Sequence, residues 1–142
     1  MKCCSLENKQ KNHNNLNFIL LDIPQLLVST SASERSWKNS NDLPVSVLKD
    51  ANAVKAVVRL CVGISNMDNT GTSEIFMKRA DADGDVGDSE LRVATAFTKK
   101  NQNNNICMTI VNLDEHSAFS YAFTASLGSL PIFEMYLMGF YE

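Results

Sequence analysis

The sequence predicts an all-β protein, an antiparallel two-layer β-sandwich or jelly roll of about seven or eight strands. Three observations predict it. Short apolar runs recur roughly every 12–15 residues from Leu16 onward. Within the runs apolar and polar residues alternate with period two, which places every second side chain on one face of a strand. The connections are short clusters of Asn, Asp, Gly and Ser, too short for the crossovers of a dozen or more residues that parallel strands need.

Residues 1–17 are polar and rich in Asn and Lys, and they read as a flexible tail ahead of one β-sandwich domain over residues 18–142. Residues 25–31, and residues 34–41 around Trp37, are expected to be the first strands. Pro44 then suits the first position of one helical turn over residues 44–50. The clearest strand is residues 54–64, where Val54, Ala56, Val58, Leu60, Val62 and Ile64 share one parity and Lys55 and Arg59 fall on the other. A helix is the alternative there, because Asn52, Lys55 and Arg59 also form a helical stripe, but the β-branched valines favour a strand.

Alternation continues at Ile75/Met77, Leu91/Val93/Thr95/Phe97, Ile106/Met108/Ile110 and Phe119/Tyr121/Phe123/Ala125, each set lining one side of a run. The final run, residues 132–141, is apolar on both parities. It is expected to lie between two covered faces, with Pro131 at its start. This much apolar surface cannot be buried by one open sheet with a wet face, hence the two layers.

The bulk properties narrow the function. Thirteen basic and sixteen acidic residues give a formal net charge of -3, so no basic field is available for phosphate, and no nucleic acid is expected as partner. No apolar stretch reaches the ~18–20 residues of a membrane span. A start of Met1-Lys2-Cys3-Cys4 followed by polar residues is not a secretory leader, which suggests a cytoplasmic or virion-associated protein. Four cysteines without framework spacing, and no Asn-x-Ser/Thr sequon, fit a reduced compartment.

Ser36-Trp37, Leu43-Pro44, the Ala-Val-Lys-Ala-Val-Val run at 53–58 and the Tyr-Leu-Met-Gly-Phe-Tyr run at 136–141 stand in that order. In this the chain resembles small β-sandwich modules at the C-termini of phage tail-fibre and bacterial surface proteins, over about residues 25–142. The resemblance implies a recognition or packing role and carries no diagnostic site motif. The Asn-rich, Cys-Cys start departs from it.

Few residues advertise chemistry. Asp81, Asp83 and Asp85 alternate like the first half of a calcium loop, and Glu74 to Arg79 ahead of them faintly resembles an entering helix. The positions that require Gly, an apolar residue and a bidentate Glu hold Val86, Asp88 and Arg92, with Glu90 two residues early. A calcium site of another kind at a hairpin tip and a solvated Asp/Gly turn are the two readings. Asp114, Glu115 and His116 form a possible acid–base cluster in a hairpin connection. His13 and His116 lie outside zinc-ligand spacing of any cysteine. Cys61 and Cys107 read as small buried hydrophobes. Cys3 and Cys4 form either an exposed thiol pair or a site of lipidation or oxidation. Trp37, Tyr136 and Tyr141 could make an aromatic platform for a glycan or a protein surface, or could pack in the core.

The expectation is therefore a non-enzymatic binding or structural module, of the surface or virion type, able to form a homo-oligomer. The alternatives are an orphan reading frame without selected function and a hydrolase with dispersed carboxylates.

Overall fold

A computed structural model describes residues 16–65, 71–97, 104–127 and 129–142. Its eight strands are β1 (Phe18–Thr30), β2 (Glu34–Asn39), β3 (Lys55–Ser65), β4 (Thr72–Arg79), β5 (Arg92–Phe97), β6 (Asn104–Asn112), β7 (Phe119–Ala125) and β8 (Leu130–Tyr141). They form two four-stranded antiparallel sheets, ordered β1-β8-β3-β6 and β2-β7-β4-β5. The pairs β1/β8, β2/β7, β3/β6 and β4/β5 are those of one long hairpin wound up on itself, and this is the jelly roll.

The parity read at residues 54–64 holds. Ala56, Val58, Leu60, Val62 and Ile64 face the core, and Lys55 and Arg59 face outward. From the other sheet Ile75, Met77, Phe119, Tyr121 and Phe123 meet them. The layers join at Phe123 of β7 and Phe133 of β8, whose rings stack at 4.6 Å between centroids and 7° between planes. Between β2 and β3 a 3-10 turn (Ser40–Asp42) and a short helix α1 (Ser46–Asp50) bury Ser40, Val45 and Leu48 at one end of the sandwich. Ser40 Oγ accepts the backbone N–H of Phe119 at 3.0 Å, which satisfies a donor that burial would otherwise strand.

Several expectations change. Pro44 lies ahead of α1 rather than in it, since the helix begins at Ser46. The first strand begins at Phe18, and Asn17 already exchanges two backbone hydrogen bonds with Glu142 (3.1 and 3.0 Å), so the ladder holds the last residues of the supposed tail. Residues 1–15, with Cys3, Cys4 and His13, lie outside the described residues. In β5 the core side is Ala94 and Ala96, not Thr95 and Phe97, because the register with β4 sets the alanines beside the buried Ile75 and Ser73 and leaves Thr95 and Phe97 beside Glu74 and Thr72. In β6, Ile106, Met108 and Ile110 point away from the core, which receives Cys107 and Val111 instead. Nor is β8 covered on both faces: Phe133, Met135 and Leu137 are fully buried, but Ile132 on the other parity is 56% exposed.

A candidate interaction surface

The acidic loop is a structural device. Its glycines Gly84 and Gly87 take φ angles of 134° and 108°, a region that side-chain-bearing residues rarely enter, and they curl the chain back over β4 and toward β2. Three carbonyls of the loop are then held by side chains. Trp37 Nε1 donates to Gly84 O at 3.0 Å, Arg35 donates to Val86 O at 3.1 Å, and Lys78 Nζ donates to Ala82 O. The Lys78 ammonium also sits 5.0 Å from the Trp37 ring centroid. Asp81 pairs with Arg79 at 2.5 Å, and Asp88 accepts the backbone N–H of Asp85. Among the described residues no three His, Cys, Asp or Glu side chains are grouped to hold a metal ion, so Asp81, Asp83 and Asp85 are not gathered as a calcium site.

The aromatic platform is not assembled either. Trp37 lies on β2 and Tyr136 and Tyr141 lie on β8, in different sheets. The Asp114 carboxylate accepts the N–H groups of His116 (2.9 Å) and Ala118 (3.0 Å), and so holds its own turn, which Ser117 completes at φ 57°. His116 and Glu115 meet at 3.4 Å with both side chains exposed. A cavity of about 400 Å³ opens between β4–β5 and β6, lined in part by Lys78, Arg79, Glu90 and Thr109. Lys78 and Arg79 are already engaged by Ala82, Trp37 and Asp81.

The outer face of β1-β8-β3-β6 is different. The register lays side chains across it in rows: Ile110, Val57 and Leu20; Met108, Arg59, Tyr136 and Leu26; Ile106, Cys61, Glu134 and Ser29. Ile132, Leu130 and Phe18 extend the apolar surface, with Phe18 against Tyr141 at 5.1 Å. Ile106, Met108 and Ile110 are 68%, 58% and 53% exposed, where edge strands ordinarily carry charge. Contiguous apolar patches of several hundred Å² on a protein surface mark places of contact.

At the centre of this face is one cation. The Arg59 guanidinium lies 4.5 Å from the Tyr136 ring centroid, and its Nε is buried without a hydrogen-bond partner. Glu134 stands one strand over and one row along, and among the described residues neither Arg59 nor Glu134 forms an ion pair. Cys61 is half-buried between Ile106 and Glu134, on the outer face and not in the core as its apolar neighbours suggested. Cys107 faces inward with its Sγ 3.4 Å from Val93 O, and burial, then the nearby Cys61, pushes its thiol up from the usual range.

Arg59, Glu134 and the apolar row of β6 were missed as site residues. Their signal was the final run, apolar on both parities, together with a lone arginine on the outward parity of β3. Compared with known proteins, the chain matches no family model and no curated sequence. No helix among the described residues is long and apolar enough to cross a membrane.

Proposed function

We propose that the protein is a non-enzymatic β-sandwich module for recognition or assembly, of the surface or virion type, and that it works through the outer face of the β1-β8-β3-β6 sheet. One observation carries the reading: an edge strand and a central strand turn Ile106, Met108, Ile110 and Ile132 outward around an arginine whose Nε has no partner. Burying such side chains yields on the order of 25 cal/mol per Å² of apolar area, a contribution the isolated fold leaves unused. A protein partner suits this face better than a glycan, since Trp37 is engaged in holding the loop through Gly84 and is not presented beside Tyr136.

The test compares wild type with a Met108→Lys/Ile110→Lys double variant. Wild type self-associates or binds the apolar dye bis-ANS, whereas the double variant does neither and melts within a few degrees of wild type, as exposed substitutions do. A wild-type protein that is monomeric and takes up no dye would contradict the proposal.

A further inference from the structure

The same face is nearly self-complementary. Its centre carries one half-buried cation, Arg59, and one anion, Glu134, on adjacent strands and adjacent rows, set in apolar side chains and rimmed by Lys55, Asn112, Asn104 and Ser29. Such a surface suits a two-fold interface, in which residue i of one copy meets residue j of the other and j meets i. Building on the function proposed above, we infer that the face binds a second copy of this chain across a two-fold axis running between Arg59 and Glu134, so that each Arg59 meets the Glu134 carboxylate of the other copy.

Elementary sheet geometry gives this pairing a shape. With strands ~4.8 Å apart and ~6.6 Å for two residues along a strand, the line bisecting Arg59 and Glu134 runs obliquely at roughly 36° to the rows. Turning a copy about that line crosses the strands of the two sheets at roughly 70°, near the orthogonal class of sheet packing. It also leaves Cys61 and Tyr136, the other two corners of that rectangle, within ~2 Å of the axis in projection, so each faces its own counterpart. Sheets packed face to face lie ~10 Å apart, which is too far for a disulfide between the two Cys61 residues but within reach of a short bifunctional reagent.

The area fits a weak, concentration-dependent dimer. Four strands and about nine residues per strand span a plane of roughly 600 Å², of which roughly 400 Å² overlaps when two copies cross at roughly 70°, against the ~800 Å² per partner that stable interfaces bury. The second copy would also supply what Arg59 lacks. The Glu134 carboxylate of the other copy meets the outward end of the guanidinium, which Tyr136 already holds in place for a bidentate pair.

The experiment is sedimentation of the full chain across the micromolar range, with circular dichroism of each variant as the folding control. Wild type is dimeric. Arg59→Glu and Glu134→Arg each weaken dimerisation by ~30-fold or more, as losing one partner of a desolvated pair does, and the Arg59→Glu/Glu134→Arg double variant recovers to within ~5-fold of wild type. Should a reversal fail to fold, the isosteric Glu134→Gln takes its place and is expected to weaken the dimer by ~10-fold or more. In a Cys3→Ser/Cys4→Ser background, a short bismaleimide links wild-type pairs through Cys61, and adding Cys61→Ser abolishes the product. A monomeric wild type, reversals that leave association unchanged, or a double variant no better than the singles would overturn the inference. A monomer that binds bis-ANS would overturn it while leaving the proposed function standing; a monomer that binds none would overturn both.

Discussion

On the outside of β2-β7-β4-β5 the central aromatic, Phe76, is 1% exposed although its parity points away from the core. It stands level with Ala122, on the side where the 80–91 loop is tied down by Trp37, Arg35 and Lys78. On the outside of β1-β8-β3-β6 the equivalent middle positions are Arg59 and Tyr136, both only half-buried, and Met108 beside them on the edge strand is exposed. Both sheets thus place large side chains on both parities of a central strand. One closes its second face with its own chain and the other leaves it open. The difference teaches that two apolar parities on a strand do not by themselves say that both of its faces are covered.

The sharpest way to break this comparison is to truncate a large side chain on each face. Phe76→Ala is expected to cost ~3–5 kcal/mol, as buried aromatics do, whereas Met108→Ala is expected to change the stability of the monomer by ~0.5 kcal/mol or less. Denaturant melts at a concentration where the chain is monomeric measure both. Equal losses would mean that the two faces do not differ in the way described.

A smaller effect tests how the closed face is held. Trp37→Phe keeps a ring beside Lys78 but removes the indole donor to Gly84 O, and is expected to lower stability by about 1–2 kcal/mol. Hydrogen exchange should then quicken in the loop and not in β6. Calcium offers a control: if the acidic loop is only a tethered turn, millimolar calcium leaves the melting temperature of wild type and of Asp83→Asn unchanged.

The same contrast of sides has a modest pH signature. Tyr121 of β7 faces the core, and burial raises its phenol above the ordinary value of 10. The folded state therefore holds the neutral form more tightly than the unfolded chain does. That contribution is fully present below the unfolded value and is lost as pH rises through the folded one. Alkaline melts of wild type should accordingly fall more steeply above about pH 10 than those of Tyr121→Phe. Absorbance at 295 nm should show one late phenol that disappears in the variant.

How much of this was legible in the sequence can be told strand by strand. At residues 54–64 parity, strand length and core face were all readable, because six apolar residues share one side and charges mark the other. At β6 the rule inverted. Ile106, Met108 and Ile110 are more apolar than Cys107 and Thr109, yet they face outward, because the register with β3 sets them beside Cys61, Arg59 and Val57 on the outer side of the sheet. At β5 the larger residues Thr95 and Phe97 mislead, because the register with β4 sets Ala94 and Ala96 instead beside the buried Ile75 and Ser73. The candidate residues fared less well. Trp37 stands out in the sequence for its ring, but its place in the fold follows from a hydrogen bond to Gly84, 47 residues away. Nothing local in the sequence announces such a contact. In the sequence Arg59 is an ordinary solvent-side charge, and only the register that sets it beside Tyr136 and Met108 reveals its surroundings.

The most direct test of the open face is hydroxyl-radical footprinting of the full chain, read residue by residue at a concentration where it is assembled and after dilution. The account predicts that Met108, Ile110, Ile132 and Tyr136 are protected in the assembled form, while Leu127 and Phe97, exposed elsewhere on the molecule, are modified equally in both states. Protection at Leu127 or Phe97 with none at Met108 would contradict it.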